Sequence, residues 1–490
     1  MGPRMLAALF LAVVSLPAVA QTTPGTPPPR TWVDKDTGHR VWRLSNEPNS
    51  GGFYFNVNAY TPDGKQMVYT APDGIHVLDL ATRETKLLVP NPPRPAAAEN
   101  DPRARFMYGV HALVLGHKTN SVFYTEMNPE THVVSVYKAD TNTGKIRKLI
   151  DLPPNHMIVS VNADETLAAG TSIIGGPRGG AYGAAMPGSQ QRPDNRVANA
   201  QQGPHFQPFN KGEMMERRLA AHLPLVLFTI RLEPGPHGEK PGDIKILLHS
   251  TDWINHLLFS PSDPTLLMYC HEGPWQKVNR IWTIHTDGTH NTMIHHRTMA
   301  MEIFGHEFWG LDGETIWYDW QYPKSEVFFL ASYNLKTGQR TAYHLSRNAW
   351  GIHFNLTRDL SLFCDDGGDP GQVAHATDGE WIELLHPHMI PLTADTLNSP
   401  SFWQPGILEA EHLVNMSHHY YREEPNVRFS PDKSLVIFTS NMFGPSYVFG
   451  VEVAKAVNPP ADEVKSTPEL AKQWNPKSPL TTSGQPQPGH

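Results

Sequence analysis

The sequence predicts an all-β protein, a single domain folded as a seven-bladed β-propeller with loop insertions. A recurrent unit is the first reason: a Pro-Asp-Gly-Lys type of turn, an apolar strand, and a second strand that ends in a polar Asp/Thr/Gly turn. Where copies lie close, as at Asp312 and Asp359, they are less than about 50 residues apart, the length of one four-stranded blade. No long helices alternate with the strands, which favours an all-β repeat architecture.

Seven copies of this unit can be traced along the chain. They contain, in order, YTPDGKQMVYT, LVLGHKTNSVFYTE, VSVNADETLAAGTS, LLFSPSDPTLLMYC, FWGLDGETIWYDW, HFNLTRDLSLFCDD and VRFSPDKSLVIFTS. Insertions at residues 173–210 and 387–416 interrupt the repeats, and we interpret the first, which is rich in glycine, as a surface loop or a loop that covers a pocket. Residues 214–225 are the best candidate for a helix.

The two ends of the chain differ from this repeating region. Residues 1–20 carry one cation and an apolar run, and they finish in Ala-Val-Ala, a pattern typical of a signal peptide. Residues 21–31 are predicted to be a disordered lead-in, residues 32–456 the propeller domain, and residues 457–490 a tail with little structure. We therefore expect a protein that is exported to the periplasm or secreted, with no membrane span.

Composition excludes several classes of function. Lys and Arg number 40 against 48 Asp and Glu, a net charge of −8, so there is no basic footprint for nucleic acid. The two cysteines, Cys270 and Cys364, exclude a disulfide scaffold and a cysteine-based metal site, and they lie in units too far apart for a disulfide. The 26 histidines indicate metal binding or proton transfer. The sequence makes no prediction of an oligomeric state.

Candidate site residues come from dispersed positions, because no nucleophile elbow, P-loop, dinucleotide fingerprint or HExxH helix is present. A propeller brings equivalent strand ends to one face. His306, His353 and Asn426 each precede the turn that opens one of three successive units, so we expect them to converge. Other polar residues near strand ends are His256, His271, Glu272, Arg280, Glu307 and the segment of residues 418–426.

Imidazole, carboxylate and amide donors together suit Mn²⁺ or another divalent ion. An ion bound to a substrate carboxylate acidifies the neighbouring C–H, which a second imidazole can then deprotonate while an arginine holds the developing anion. These residue types therefore favour β-elimination from a uronic acid. For any single histidine, a purely structural role remains an open alternative.

Several motifs in the same order and spacing resemble the oligogalacturonate lyases, seven-bladed propellers of polysaccharide lyase family 22. The segments that carry the resemblance are HEGPW, NRIW, HEFWGLDG and SPDKSLVIFTS. The resemblance implies that His306 is the catalytic base, that Arg280 binds substrate and that His353 is a metal ligand. It also implies a divalent metal, Mn²⁺ with Ca²⁺ or Mg²⁺ as alternatives, and an oligogalacturonide as substrate.

The chain departs from the family pattern at two places in the site. The family's Gln-x-x-His-Pro-His stretch reads Tyr-Arg-Glu-Glu-Pro-Asn here, so Glu424 and Asn426 become the expected metal ligands, with His418 and His419 as substitutes. A Gln-Lys pair of the first blade is replaced by Asn-Val-Asn, which ends at Asn58. We expect Asn58, His271, Trp309 and Tyr421 to contact substrate.

Three other interpretations remain at this point. The Asp365-Asp366 pair could indicate a glycosidase, although adjacent acids in a strand point to opposite faces, which favours turn or solvent roles. The substrate could contain another uronate linkage, such as rhamnose–glucuronate, cleaved by a lyase or a hydrolase. A noncatalytic periplasmic scaffold that binds protein partners is the alternative outside the enzymes.

Overall fold

Antiparallel β-sheets follow one another along the chain in the computed structural model. It describes residues 27–93, 108–174, 211–368 and 380–475, apart from 394–401 and 422, together with residues 373, 374 and 376. The predicted signal peptide and nearly all of the 173–210 insertion lie outside the described residues.

The first half of the chain forms short sheets in sequence order. After β1 (Thr31–Asp34) and β2 (His39–Arg43) comes a three-stranded sheet of β3 (Gln66–Ala71), β4 (Gly74–Asp79) and β5 (Thr85–Pro90). Three four-stranded sheets follow: β6 (Val110–Leu115), β7 (Ser121–Met127), β8 (Val134–Asp140) and β9 (Ile146–Asp151); β10 (His156–Val161), β11 (Leu167–Ile173), β12 (Leu225–Arg231) and β13 (Ile244–Ser250); β14 (Trp253–Phe259), β15 (Leu266–Glu272), β16 (Ile281–His285) and β17 (Thr292–Met293).

The second half contains an eight-stranded sheet and the sheet that joins the two ends. The first comprises β18 (Ile303–Trp309), β19 (Thr315–Gln321), β20 (Phe328–Asn334), β21 (Arg340–Leu345), β22 (Phe354–Leu356), β23 (Phe363–Asp365), β24 (Trp381–Met389) and β25 (Trp403–Asn415). The second comprises β26 (Arg428–Phe429), β27 (Leu435–Ser440), β28 (Tyr447–Lys455) and β29 (Val464–Lys465) together with β1 and β2. Within the described part of the chain, the helices are α1 (Lys211–Ala221) and α2 (Thr467–Trp474), and a 3-10 turn spans Arg347–Ala349.

Polar turns separate the strands as the sequence predicts. The Asp140 carboxylate accepts hydrogen bonds from the backbone N–H groups of Asn142 and Thr143 and from the Thr143 hydroxyl, and Gly144 follows with a φ of +71°. The side chain thereby satisfies backbone donors that the tight turn leaves without a strand partner. The same arrangement recurs at Asp79.

Buried apolar clusters lie between neighbouring sheets. One cluster joins Leu227 of β12 to Tyr269 of β15, and another joins Ile437 of β27 to Val68 of β3, so the last sheet packs against the first. This confirms a nearly all-β, propeller-like fold. The described residues form six hydrogen-bonded sheets, because β21 pairs in parallel with β25 and thereby joins two four-stranded groups. The count of seven blades stays a prediction.

One local prediction was wrong for part of its range. The tail of residues 457–490 was expected to have little structure, yet β29 pairs with β1 and α2 follows it. Part of the insertion at residues 387–416 forms the long strand β25, because it has two neighbours to pair with, β21 and β24. The predicted helix is present four residues or fewer from its expected bounds, as α1. Neither helix of the described residues has the length and apolar character that a membrane span requires.

Candidate active site

An irregularity in β18 presents His306. The register between β18 and β19 shifts between Gly305 and Phe308, and His306 adopts a φ of +45°, a conformation that non-glycine residues seldom take. Gly305 lets two side chains approach closely, since a Cβ there would lie 2.7 Å from Trp275 and 2.9 Å from the Nε atom of Arg280. The bulge therefore sets the direction of the His306 imidazole.

Asp319 of β19 is the partner of His306. Its Oδ2 atom lies 3.3 Å from Nδ1 of His306, and both residues are buried. Burial raises the pKa of Asp319 to about 7, with Glu307 adding to the rise and Arg280 opposing it. When Asp319 is ionised it can accept the Nδ1 proton, which leaves the basic lone pair on Nε2. This arrangement suits a general base.

A buried charge network lies near His306. Nη1 of Arg280 donates a 2.9 Å hydrogen bond to Glu272, and Nη2 lies 3.8 Å from Glu307. Burial opposes the charge of Arg280, but Cys270, Glu272 and Glu307 raise its pKa above the ordinary value. Glu307 also lies 3.1 Å from Nδ1 of His256. Burial disfavours ionised Glu307, but Arg280 and His256 lower its pKa to about 2.

His353 lies beside His306, with 4.9 Å between the two ring centroids. Nδ1 of His353 is 2.8 Å from Asp366, whose carboxylate also accepts the backbone N–H groups of His353 and Asn426. The other ring nitrogen, Nε2, is buried without a hydrogen bond among the described residues and lies 3.8 Å from Glu424. Asp366 thus fixes the ring and turns Nε2 towards Glu424.

Residues 53–57 bring the first unit into this site. The Arg428 guanidinium donates hydrogen bonds of 2.5–2.9 Å to the carbonyls of Phe53, Tyr54 and Val57. The Phe55 ring stacks on His353, with 4.5 Å between centroids. Asn56 donates a 3.0 Å hydrogen bond to the Glu307 carbonyl. The segment therefore connects the first, fifth, sixth and seventh units.

The structure brings together some of the predicted site residues and not others. Arg280, His306, His353, Glu424 and Asn426 belong to one connected set of contacts. The convergence that equivalent positions in successive units predicted is therefore present.

Four residues that were expected to contact substrate have other contacts. Asn58 bonds the backbone of Tyr60 and Leu115, and Trp309 donates to the Leu258 carbonyl. His271 lies between Tyr269 and Trp282, whereas Tyr421 is buried in the core with its hydroxyl on the Asp366 carbonyl. These contacts do not support substrate binding, which stays a prediction for all four.

Sequence reasoning missed other residues of the site. Asp319, Tyr54 and Trp275 surround the two imidazoles, and Trp275, not Trp309, has its ring edge against His306, at 4.9 Å. The expectation of a turn or solvent role for Asp366 was wrong, because the residue is fully buried and holds His353. Its neighbour Asp365 is also buried and points elsewhere, towards Glu383, as strand alternation predicts.

The donors present do not fit the predicted three-ligand metal site. The side-chain oxygen of Asn426 accepts the Phe55 N–H at 2.9 Å, and its NH₂ donates to the Glu424 carbonyl. His353 and Glu424 are the other two predicted ligands, and Nε2 of His353 lies 3.8 Å from the Glu424 carboxylate. Within the described ranges, no three His, Cys, Asp or Glu side chains are grouped so that they could hold a metal ion. Both cysteines are buried and free.

Comparison with known proteins confirms the resemblance that the motifs indicate. The family model described as oligogalacturonate lyase matches residues 237–457. An oligogalacturonide lyase of Pectobacterium atrosepticum is 24% identical over 223 residues, covering 44% of this chain and 54% of that protein. An oligogalacturonate lyase of Dickeya dadantii is 24% identical over 225 residues, with the same coverage. The aligned part thus spans about half the length of either relative.

Solved structures show the same fold over a longer stretch. An oligogalacturonate lyase in complex with manganese superposes with a TM-score of 0.59 at 18% identity, covering 87% of this chain and 96% of that chain. An oligogalacturonate lyase from Vibrio parahaemolyticus gives a TM-score of 0.61 at the same identity and coverage. The whole propeller-like region therefore has the fold of these lyases.

Proposed function

We propose that this protein is a lyase that cleaves short uronic-acid oligosaccharides, pectin-derived oligogalacturonides first among them, by β-elimination. The observation that carries the proposal is the His306–Asp319 pair, a buried imidazole and carboxylate in a site where His353 lies 4.9 Å from His306. The match of residues 237–457 to the oligogalacturonate lyase family supports it. Seven blades around one axis and export by residues 1–20 are part of the same proposal.

His306 would remove the proton from C5 of the uronate. When Asp319 is ionised, Nδ1 of His306 donates its proton in the hydrogen bond to Asp319, so Nε2 is the atom that accepts the C5 proton. The electron pair of the C–H bond forms the C4=C5 double bond, and the bond from C4 to the leaving oxygen breaks. His353 is fully buried, so we infer that it acts by positioning His306, whose ring centroid lies 4.9 Å away.

Arg280 would act by positioning rather than by direct contact with substrate. Its side chain is 1% exposed and its charge is balanced by Glu272 and Glu307. It also lies over the Trp275 ring, 4.3 Å from the centroid, and against Gly305. We infer that Arg280 holds the bulge that carries His306.

The substitution His306→Ala tests the proposal. We expect the variant to lose the rise in ultraviolet absorbance that unsaturated products give with digalacturonate, by about 100-fold or more, since general-base catalysis supplies that much. His237→Ala, at an exposed turn, is the matched control and should keep full activity. Full activity in His306→Ala would overturn the proposed mechanism.

A substrate panel separates the linkages. The Asn56 side chain donates a hydrogen bond to the Glu307 carbonyl. Residues 53–57 contain no lysine or arginine that could bind a substrate carboxylate. Oligosaccharides that contain glucuronate therefore belong in the same assay as oligogalacturonides. Turnover of rhamnose–glucuronate alone would move the proposal to that linkage, and no turnover of any uronate would favour a binding protein.

A further inference from the structure

Tyr54 is a phenol within the site that the proposed reaction has not yet used. Its ring lies between two imidazoles, with centroid distances of 5.1 Å to His353 and 5.8 Å to His256. The side chain is only partly buried. None of the described residues accepts a hydrogen bond from its hydroxyl. A phenol that faces the site without a protein partner is available to a bound molecule.

The backbone around Tyr54 is held rigidly. Its carbonyl accepts hydrogen bonds from Arg428 and from the backbone N–H of Val57, both at 2.9 Å. The next residue, Phe55, donates its N–H to Asn426 and stacks on His353. These contacts come from the sixth and seventh units, so the phenol is fixed relative to the imidazoles. Groups held in this way need little reorganisation during a reaction.

The phenol is protonated near neutral pH. The ordinary pKa of a tyrosine hydroxyl is about 10, so the group keeps its proton there. Tyr54 therefore does not act as a base near neutral pH. A neutral hydroxyl can instead donate its proton to an oxygen that gains negative charge.

We propose that Tyr54 is the general acid of the elimination and donates its hydroxyl proton to the leaving glycosidic oxygen. This inference rests on the proposed lyase function. His306 and Tyr54 both contact the His353 ring, with 4.9 Å and 5.1 Å between centroids, so base and acid belong to one site.

Protons and electrons balance in this step. His306 takes the C5 proton, the C–H electron pair becomes the C4=C5 double bond, and the C4–O bond breaks with its electrons on oxygen. That oxygen takes the Tyr54 proton and leaves as an alcohol. The tyrosinate then regains a proton from water and the His306 imidazolium loses one to water, so no oxidant or further reactant is needed.

The substitution Tyr54→Phe tests the proposal. It removes one hydroxyl that has no partner among the described residues, so the fold should be kept. We expect kcat on digalacturonate to fall by about 100-fold or more. Tyr60→Phe is the matched control: Tyr60 lies six residues on, its hydroxyl is also without a hydrogen bond in the described structure, and it contacts none of the site's imidazoles. The control should keep full activity.

Isotope exchange separates the acid step from the base step. In D₂O, Tyr54→Phe should still exchange the C5 proton of unreacted substrate, as mass spectrometry would measure, while His306→Ala should not. A substrate with a nitrophenolate leaving group at C4 should restore most of the lost rate, because that group needs no acid.

Each other outcome contradicts the proposal. Full activity in Tyr54→Phe, or loss of exchange together with elimination, would show that Tyr54 is not the acid. An equal rate loss with the nitrophenolate substrate would show the same. If the wild-type protein exchanges no C5 proton and cleaves no uronate, the lyase function itself fails, and this result is recognisable before any variant is made.

Discussion

Within the candidate site, the pairing of His306 with Asp319 depends on one irregular strand. Asp319 is the cross-strand partner of Gly305, and the register shift that follows places the imidazole 3.3 Å from the carboxylate. The motif HEFW predicted His306. Asp319 lies among aromatic residues of β19 and carries no sequence signal of its own, because its role comes from strand pairing.

The raised pKa of Asp319 predicts how stability depends on pH. The folded protein keeps this proton up to a pH of about 7, whereas an unfolded chain loses it near pH 4. The folded state therefore binds more protons in this window, and its stability falls as pH rises through it. We expect Asp319→Asn to remove that fall. Between pH 5 and pH 8 the unfolding free energy of wild type should drop by about 2 kcal/mol more than that of the variant.

Urea denaturation at both pH values measures this effect. Asp252→Asn, at an exposed carboxylate, is the control and should follow the wild-type pH dependence. An Asp319→Asn variant with the same pH dependence as wild type would contradict the raised pKa.

The donor set near His353 predicts weak metal binding. Two side chains, His353 and Glu424, face one another at 3.8 Å, and Asn426 is committed to the backbone of Phe55. Because few protein donors are available, we expect Mn²⁺ to dissociate on dialysis and titration calorimetry to give a Kd weaker than about 10 μM. Glu424→Gln should weaken binding further. A stoichiometric ion that survives dialysis against EDTA would contradict this prediction.

At the level of elements, the segment of residues 53–57 connects units that are far apart in the chain. Arg428, buried and about 370 residues away, donates to three of its carbonyls. Burial lowers the pKa of Arg428, and nearby Tyr60 and Cys364 partly oppose this. Turn and strand patterns identified the unit that contains this segment. They carried no signal for its contacts, because hydrogen bonds between distant residues leave no local periodicity.

Loss of the Arg428 guanidinium should therefore destabilise the protein. We expect Arg428→Ala to lower the unfolding free energy by about 3 kcal/mol or more, because several buried carbonyls lose a charged donor. Urea denaturation measures the change. The exposed Arg358, which donates to the Leu311 carbonyl, provides the control, and Arg358→Ala should cost less than about 1 kcal/mol. Equal losses in the two variants would show that Arg428 does not hold the segment.

In the whole molecule, both ends of the described chain meet in one sheet. β2 pairs with β28, β1 pairs with β2, and β29 adds to β1 in parallel. The Trp32 indole N–H donates to the Thr467 hydroxyl, which in turn donates to Asp34, both at 2.7 Å. Burial raises the pKa of Asp34, whereas the bond from Thr467 lowers it. This closure ties the first described strand to α2.

The substitution Thr467→Val tests the closure. It leaves a buried indole N–H and a buried carboxylate without their partner, so we expect the unfolding free energy to fall by about 2 kcal/mol. Thermal unfolding measures the change. Ser466→Ala is the adjacent control, because the Ser466 side chain makes no capping hydrogen bond, and it should unfold like wild type. A wild-type Tm in Thr467→Val would show that the ends close without this contact.

The sequence by itself determined the all-β repeat, its turns and the two imidazoles of the site, His306 and His353. Strand patterns and turn chemistry are local properties of the chain, so they can be read from neighbouring residues. Only the tertiary structure decided the rest: Asp319 beside His306, Asp366 behind His353, Tyr54 between two imidazoles, and Asn426 turned to the backbone instead of a metal. These contacts arise from strand register and from the packing of sheets around the site, which no short stretch of sequence contains.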